Sequence, residues 1–133
     1  MVIDTSALLA ILLEEPEAKA MAEAIEAAAE PVISAATLVE LSAVVTHKLG
    51  AEALEDVEAL LSTGGIQVEP FTASQARLAS DAYARYGKGL RHRARLNLGD
   101  CFAYALAAEL DRPLLFKGED FASTDIRAAA APR

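Results

Sequence analysis

The chain opens with the sequence MVIDTS, residues 1–6, in which two β-branched residues lead directly into an acid. Val2 and Ile3 are typical of a short buried strand, and Asp4 stands where that strand gives way to a turn or helix. A carboxylate in this position is poorly solvated, which is costly unless something positive lies beside it. A hard divalent cation is a common partner for clustered carboxylates. The stretch therefore predicts a short buried strand with a metal-binding acid at its C-terminal end.

Short apolar runs and helical stretches alternate along the rest of the chain. The predicted strands cover residues 2–3, 31–34, 66–69 and 114–116, with 125–130 as a candidate fifth. The predicted helices cover residues 6–13, 16–29, 37–49, 51–61, 72–86 and 99–110. This alternation is typical of a parallel sheet with helices on both faces. We predict a three-layer α/β/α fold around a central parallel sheet of four to five short strands, in a single domain over residues 1–133 whose tail, 128–133, is frayed.

The composition indicates a protein of the reducing cytoplasm. The chain has 133 residues and a single cysteine, Cys101, so no internal disulfide can form. No apolar run approaches the ~18 residues of a membrane-spanning helix, and Asp4 interrupts any signal-like stretch. We therefore expect a cytoplasmic protein with no membrane partner.

The charge of the chain is distributed unevenly. A net charge of −8 argues against nucleic acid, because phosphate binding needs a basic face. Residues 85–95 nevertheless contain no acid and hold a basic cluster made of Arg85, Lys88, Arg91, Arg93 and Arg95. This cluster is either a solvated loop or a surface that faces phosphate. Its position just upstream of Asp100 favours phosphate, and we predict that it binds the substrate.

Four acids lie where predicted strands give way to turns or helices, each within apolar sequence: Asp4, Glu40, Asp100 and Asp120. In a parallel α/β sheet, ligands collect beyond the C-terminal ends of the strands. Asp4 closes the first strand, and Asp120 follows the fourth strand after a short loop. Glu40 and Asp100 fall in the opening turns of helices. The topology therefore predicts that all four converge at one edge of the sheet.

Each acid also has a plainer explanation. Asp4 could cap the first helix, Asp100 could favour a helix N-terminus, and Asp120 could be a turn residue. Glu40 lies three residues after Thr37 and could complete a capping box. These explanations leave the apolar surroundings of every acid unaccounted for. They also do not explain why Asp4 lies on the sheet.

Four segments of the sequence resemble PIN-domain ribonucleases, and more narrowly the VapC toxins of VapBC toxin–antitoxin modules. The segments are VIDTSAL at 2–8, LVE at 38–40, LNLGDCFAYALA at 96–107 and LLFKGEDF at 114–121. The resemblance extends from residue 1 to about residue 127, and the block at 96–107 is its most specific part.

The resemblance implies roles for the matching acids. Asp4 and Asp100 are expected to be the primary ligands of Mg²⁺ or Mn²⁺. Glu40 and Asp120 are expected to complete the acidic quartet, although Glu119 could compete with Asp120. The implied activity is that of an endoribonuclease that hydrolyses RNA phosphodiesters with metal-activated water, as the toxin of a type II toxin–antitoxin pair.

The resemblance also implies partners. RNA is the expected substrate. The hydroxyl of Ser6, or that of Thr5, is an expected auxiliary contact near the first acid, and the basic cluster is a candidate contact with the substrate. A VapB-like antitoxin is expected to cover the apolar first helix and the acidic second helix, and the chain is expected to form a homodimer. A second possibility remains open: a non-enzymatic module whose acidic pocket binds a structural cation or a basic partner protein.

Overall fold

A parallel sheet forms the centre of the protein in the computed structural model, which describes residues 1–90 and 93–129. Its strands are β1 (Val2–Ile3), β2 (Val32–Ser34), β3 (Gln67–Glu69) and β4 (Leu114–Leu115). They are ordered β3-β2-β1-β4, and every pairing is parallel. The first strand thus lies inside the sheet, as its apolar sequence predicts.

Six α-helices and one short 3₁₀ helix connect and cover these strands within the described ranges. The α-helices are α1 (Thr5–Leu12), α2 (Ala18–Ala27), α3 (Ala35–Leu49), α4 (Leu54–Thr63), α5 (Ala73–Tyr86) and α6 (Leu98–Leu110). The 3₁₀ helix, Ala51–Ala53, precedes α4. In the described part of the chain, no helix combines the length and the apolar character that crossing a bilayer requires.

Two hydrophobic cores lie on opposite faces of the sheet. Because successive side chains of a strand point to opposite faces, β1, β2 and β4 each contribute to both cores. Val2 packs in the core that contains residues of α5 and α6, whereas Ile3 packs in the core formed with α1 to α4. Leu114 and Leu115 divide between the cores in the same way. This arrangement confirms the predicted three-layer α/β/α fold.

The sheet has four strands in the described part of the chain, and the candidate fifth is reduced to one bridge. Ala128 pairs with Leu114, and the Leu114 amide donates to the carbonyl of Arg127 at 2.9 Å. The amide of Ala129 donates to the carbonyl of Leu114 at 2.8 Å. The prediction that the tail is frayed from residue 128 is therefore wrong for Ala128 and Ala129, which pair with β4, and residues 130–133 lie outside the described residues.

The helix α3 begins earlier than its apolar pattern predicts. Ser34, the last residue of β2, accepts a hydrogen bond from the amide of Ala36 at 3.2 Å and so caps the helix. Thr37 lies inside the helix and is fully buried. The capping-box explanation of Glu40 is therefore wrong, because the chain passes from strand to helix without an intervening loop.

Candidate active site

The predicted acids meet at the C-terminal edge of the sheet. Asp4 lies between β1 and α1, Asp100 in the first turn of α6, Glu40 in α3 and Asp120 in the loop after β4. The charges of Asp4, Asp120 and Glu40 each raise the pKa of Asp100, in that order of strength. The four carboxylates therefore share one electrostatic environment, although they come from four separate parts of the chain.

Asp4 is held through one carboxylate oxygen while the other remains without a partner. Its Oδ2 accepts hydrogen bonds from the amide of Ser6 at 3.0 Å and from the Ser6 hydroxyl at 2.7 Å, which caps α1. Its Oδ1 is buried, and no described residue donates a hydrogen bond to it. The capping explanation is correct for one oxygen only. A buried acceptor without a hydrogen-bond donor is compatible with a role as a cation ligand.

Ser6 links Asp4 to the segment that follows β4. The backbone amide of Lys117, just after β4, donates to the Ser6 Oγ at 2.9 Å. The hydroxyl in turn donates its hydrogen to Asp4. Ser6 thereby connects the segments that follow β1 and β4, while its predicted contact with substrate stays a prediction.

Asp100 forms a capping box with Asn97 at the start of α6. Its Oδ2 accepts from the amide of Asn97 at 3.0 Å, and its own amide donates to the Oδ1 of Asn97 at 2.8 Å. The side chain is nearly inaccessible, with 7% of the residue exposed. Asp100, like Asp4, therefore caps a helix and also belongs to the acidic cluster.

Burial raises the pKa of both central acids. Desolvation is the largest cause for Asp4, whose pKa is raised to about 6 against the opposing hydrogen bonds from Ser6. Desolvation is again the largest cause for Asp100, whose pKa is raised to about 7 with further contributions from the neighbouring carboxylates. Both acids thus resist ionisation when no cation is bound.

The Glu40 carboxylate lies against two residues, Thr5 and Gly99, whose association with Glu40 the sequence pattern did not predict. The hydroxyl of Thr5 donates to the Glu40 Oε1 at 2.6 Å. The same carboxylate lies so close to the backbone of Gly99 that a Cβ built on this glycine would overlap with it. A glycine in the first turn of a helix, one residue before an acid, is the only sequence signal for this contact.

The acidic cluster fits a hydrated divalent cation. Among residues 1–90 and 93–129, no three Asp, Glu, His or Cys side chains are placed to hold one ion together. Mg²⁺ commonly binds through one or two carboxylates and keeps several waters, so Asp4 and Asp100 suffice as protein ligands. Lys117 does not neutralise these acids, because its ammonium contacts Glu15 at 2.5 Å and Glu17 at 3.3 Å.

The basic cluster begins with Arg85 in the last turn of α5 and ends at Arg95, five positions before Asp100 in the sequence. The loop that carries most of it is closed at its base, where the Lys88 amide donates to the Leu96 carbonyl at 2.8 Å and the Leu96 amide donates to the Tyr86 carbonyl at 3.0 Å. The next residues open α6 and lead to Asp100. Lys88, Arg93 and Arg95 are exposed, and Arg91 lies outside the described residues.

Arg85 differs from the other members of the basic cluster. Its guanidinium donates to the Tyr86 hydroxyl at 2.6 Å and lies 3.6 Å from the carboxylate of Asp125. Asp125 also accepts a hydrogen bond from the Tyr104 hydroxyl at 2.6 Å. Arg85 therefore helps to fasten the segment after β4 to α5 and α6, and its predicted contact with substrate stays a prediction.

Comparison with known proteins gives the family of this fold and site. The family model of the PIN domain matches residues 1–127. The chain belongs to the PIN-domain family. It is 47% identical over 129 residues to the ribonuclease VapC42 of Mycobacterium tuberculosis, an alignment that covers 97% of this chain and 98% of that relative. The resemblance to PIN-domain VapC proteins is thereby confirmed.

Two solved structures share the PIN fold at low sequence identity. One is VapC20 of Mycobacterium tuberculosis, described as a sarcin–ricin loop cleaving toxin, with a TM-score of 0.80, 15% identity and 98% coverage of both chains. The other is VapBC2 from Rickettsia felis bound to a DNA fragment from its promoter, with a TM-score of 0.69 and 16% identity, covering 96% of this chain and 95% of that chain. At these identities the likeness concerns the fold alone.

The protonation of Asp4 and Asp100 predicts an unusual pH dependence of stability in the absence of divalent cations. Both folded-state pKa values lie above the usual 3.8, so the folded protein binds more protons than the unfolded chain between about pH 4 and pH 7. We expect the contribution of these acids to the free energy of unfolding to fall as the pH rises through this window.

The substitution Asp4→Asn should raise the free energy of unfolding at pH 7.5 by on the order of 2 kcal/mol, because it removes a buried charge and keeps a capping oxygen.

Denaturant unfolding in EDTA at pH 5 and pH 7.5 measures this effect. The control is Glu58→Gln, which changes an exposed acid in the interior of α4 and should shift the stability by less than about 0.5 kcal/mol. Equal behaviour of the two variants at pH 7.5 would contradict the prediction.

Proposed function

We propose that this PIN-domain protein is a Mg²⁺- or Mn²⁺-dependent endoribonuclease and the toxin of a VapBC-type, type II toxin–antitoxin pair. The observation that carries the proposal is the buried, unpartnered Oδ1 of Asp4 beside the buried carboxylate of Asp100. A relative that is 47% identical over nearly the whole chain bears the name ribonuclease. The acidic cluster supplies the hard oxygen ligands that this chemistry needs.

The site residues have three proposed roles: to bind the metal ion, to orient its ligands, and to accept a proton or a hydrogen bond. When bound at Asp4 and Asp100, a divalent ion supplies charge neutralisation at the phosphate and a lower pKa for the attacking water. Ser6 and Asn97 orient the two ligands by occupying one oxygen of each. Asp120 is the exposed member of the cluster, so its carboxylate is free to accept a proton or a hydrogen bond at the rim of the site.

The basic cluster is proposed to bind the RNA backbone. Its loop returns to the start of α6, so exposed cations lie on the chain immediately before a proposed metal ligand. Phosphate contacts of this kind supply affinity without sequence selectivity. They also counteract the repulsion between RNA and a chain whose net charge is −8.

A VapB-like antitoxin is the proposed protein partner. Leu8 of α1 is fully buried, so deeper core packing accounts for this leucine, whereas Ile11 is partly exposed. Ile11 lines a groove of about 490 Å³ together with Ile25 of α2 and Leu60 of α4. Such a groove suits the apolar face of a partner helix. The Rickettsia felis neighbour is a VapBC assembly, which supports a partner of this class.

We also propose a homodimer acting in the cytoplasm. Val39 and Leu98 are 70% and 63% exposed, and both stand beside residues of the site. Exposed large apolar side chains of this kind favour an interface. Cys101 is a buried free thiol, which is compatible with a reducing compartment. Light scattering of the purified protein measures the oligomeric state.

Loss of either central acid should abolish RNA cleavage. We expect Asp4→Asn and Asp100→Asn each to lower the cleavage rate by at least about 100-fold in the presence of Mg²⁺, because each removes a proposed ligand charge. Both variants should remain folded, since Asn keeps an oxygen that can cap the helix. Millimolar Mg²⁺ should raise the melting temperature of the natural protein and not that of Asp4→Asn.

The products distinguish this mechanism from alternatives. Attack by water should leave a 5′-phosphate and a 3′-hydroxyl, and excess EDTA should stop cleavage. A 2′,3′-cyclic phosphate, or undiminished cleavage in EDTA, would contradict the proposal. The non-enzymatic alternative predicts instead that Asp4→Asn unfolds the protein and that the natural protein cleaves no RNA.

Neutralising the exposed members of the basic cluster should weaken RNA binding and its dependence on salt. For the triple substitution Lys88→Ala, Arg93→Ala and Arg95→Ala, the slope of log affinity against log salt should become shallower by roughly 0.7 for each lost phosphate contact. Binding is measured in EDTA, which prevents cleavage, by fluorescence anisotropy with a labelled single-stranded RNA.

The matched control removes the same charge elsewhere on the surface. Lys19, Lys48 and Arg77 are exposed on α2, α3 and α5. Replacing these three with alanine should change the salt slope less than the loop substitutions do. Equal slopes for the two triple variants would show that only the net charge matters and would contradict a binding role for the loop.

A further inference from the structure

We propose that Thr5 and Gly99 are positioning residues that together hold the carboxylate of Glu40 within the acidic cluster. We refer to the Thr5 hydroxyl and the Gly99 backbone as the Glu40 seat. The catalytic consequence of the seat rests on the proposed nuclease function, whereas its geometry does not. Neither residue belongs to the acidic quartet, and each acts through Glu40.

Glu40 needs a seat because its neighbours repel it. Its charge raises the pKa of both Asp4 and Asp100, so the three carboxylates oppose one another. The residue is only partly buried, and a glutamate side chain can rotate towards solvent at little cost. A fixed position inside the cluster therefore requires specific contacts that oppose the repulsion.

Thr5 supplies the first contact. It is the first residue of α1, directly after Asp4, and it is 7% exposed. Its hydroxyl donates to the Glu40 Oε1 at 2.6 Å, the only side-chain hydrogen bond that the structure gives Glu40 within the described residues. Hydrogen bonds to a charged acceptor are stronger than neutral ones. Two consecutive residues therefore serve the site: Asp4 is a proposed metal ligand, and Thr5 donates the hydrogen bond to Glu40.

Gly99 leaves room for the Glu40 carboxylate because it has no side chain. A Cβ at this position would overlap with both oxygens and the Cδ of the Glu40 carboxylate. The backbone of Gly99 does not itself demand glycine, because the described glycines with positive φ are Gly50, Gly65, Gly89 and Gly118. Glycine is also a poor helix residue. The close approach of Glu40 is therefore the physical reason for glycine here.

The first turn of α6 adds a favourable electrostatic contribution. Gly99 is the second residue of this helix, and Asp100 is the third. The N-terminus of a helix carries a partial positive charge that stabilises nearby anions. The seat therefore places a third carboxylate at a location where its charge is tolerated, next to one of the proposed metal ligands.

The test is Gly99→Ala, with the position of Glu40 as the first readout. The overlap involves the end of a flexible side chain, so the variant should fold. In a crystal structure without divalent ions, we expect the Glu40 carboxylate to have left the Thr5 hydroxyl, while the Asp4–Ser6 and Asp100–Asn97 hydrogen bonds remain. Leu110→Ala, which changes an exposed residue at the other end of α6, is the control and should leave Glu40 in place.

The second readout is the cleavage rate in a double-variant cycle. We expect Gly99→Ala to lower kcat by roughly 100-fold with little change in KM, because a small misplacement of a site residue can have that effect. Glu40→Ala should lower kcat similarly, and the double variant should be no slower than Glu40→Ala alone. Thr5→Val keeps the side-chain shape and removes the hydrogen bond, so it should lower kcat by a smaller factor.

Each outcome bears on the seat. If Glu40 keeps its position in Gly99→Ala, or if Gly99→Ala slows cleavage further in the Glu40→Ala background, the proposal is wrong. It is equally wrong if Glu40 moves while kcat stays unchanged. If the natural protein cleaves no RNA, the proposed function fails, and the crystal structures of the two variants still decide whether Thr5 and Gly99 hold Glu40. Should Gly99→Ala not fold, Thr5→Val provides the same structural and kinetic comparison.

Discussion

The repulsion between carboxylates gathered at the end of the sheet is the constraint on which the rest of the structure depends. Two of these acids are buried, and their raised pKa values show that their ionised forms are poorly tolerated without a counter-charge. The sheet and its cores supply the rigidity that keeps the acids together. Binding of a divalent cation would offset the repulsion between these carboxylates. The same clustering that destabilises the folded protein therefore provides the proposed metal site.

Helix N-termini make this cluster possible. Asp4 caps α1 and Asp100 belongs to the capping box of α6, so each carboxylate uses one oxygen to satisfy backbone amides of its helix. The partial positive charge of a helix N-terminus also offsets part of the repulsion. Structural and functional explanations of these acids are therefore compatible, because a carboxylate has two oxygens and Asp4 keeps one of them without a partner among the described residues.

Several features could be predicted because they depend on local pattern. The β-branched start, the alternation of strands and helices, and the acids at strand ends predicted the fold and the convergence of the four carboxylates. The start of α3 was misjudged because Ser34 ends a strand and caps a helix at once, which the apolar period does not reveal. The ion pair of Arg85 with Asp125 was not anticipated, since the partners are forty positions apart along the chain and only packing brings them together.

By itself, the sequence determined the layer order and the membership in the PIN-domain family, and it predicted the acids of the candidate site, because hydrophobic period and residue type can be read along the chain. The tertiary structure alone decided which oxygen of each acid is occupied and which residues hold Glu40. Those facts depend on contacts between α1, α3 and α6, where Thr5 and Gly99 are 35 and 59 residues away from Glu40 along the sequence. The sequence does not reveal that these residues are close in space, because the packing of the two cores against the sheet sets the distances between them.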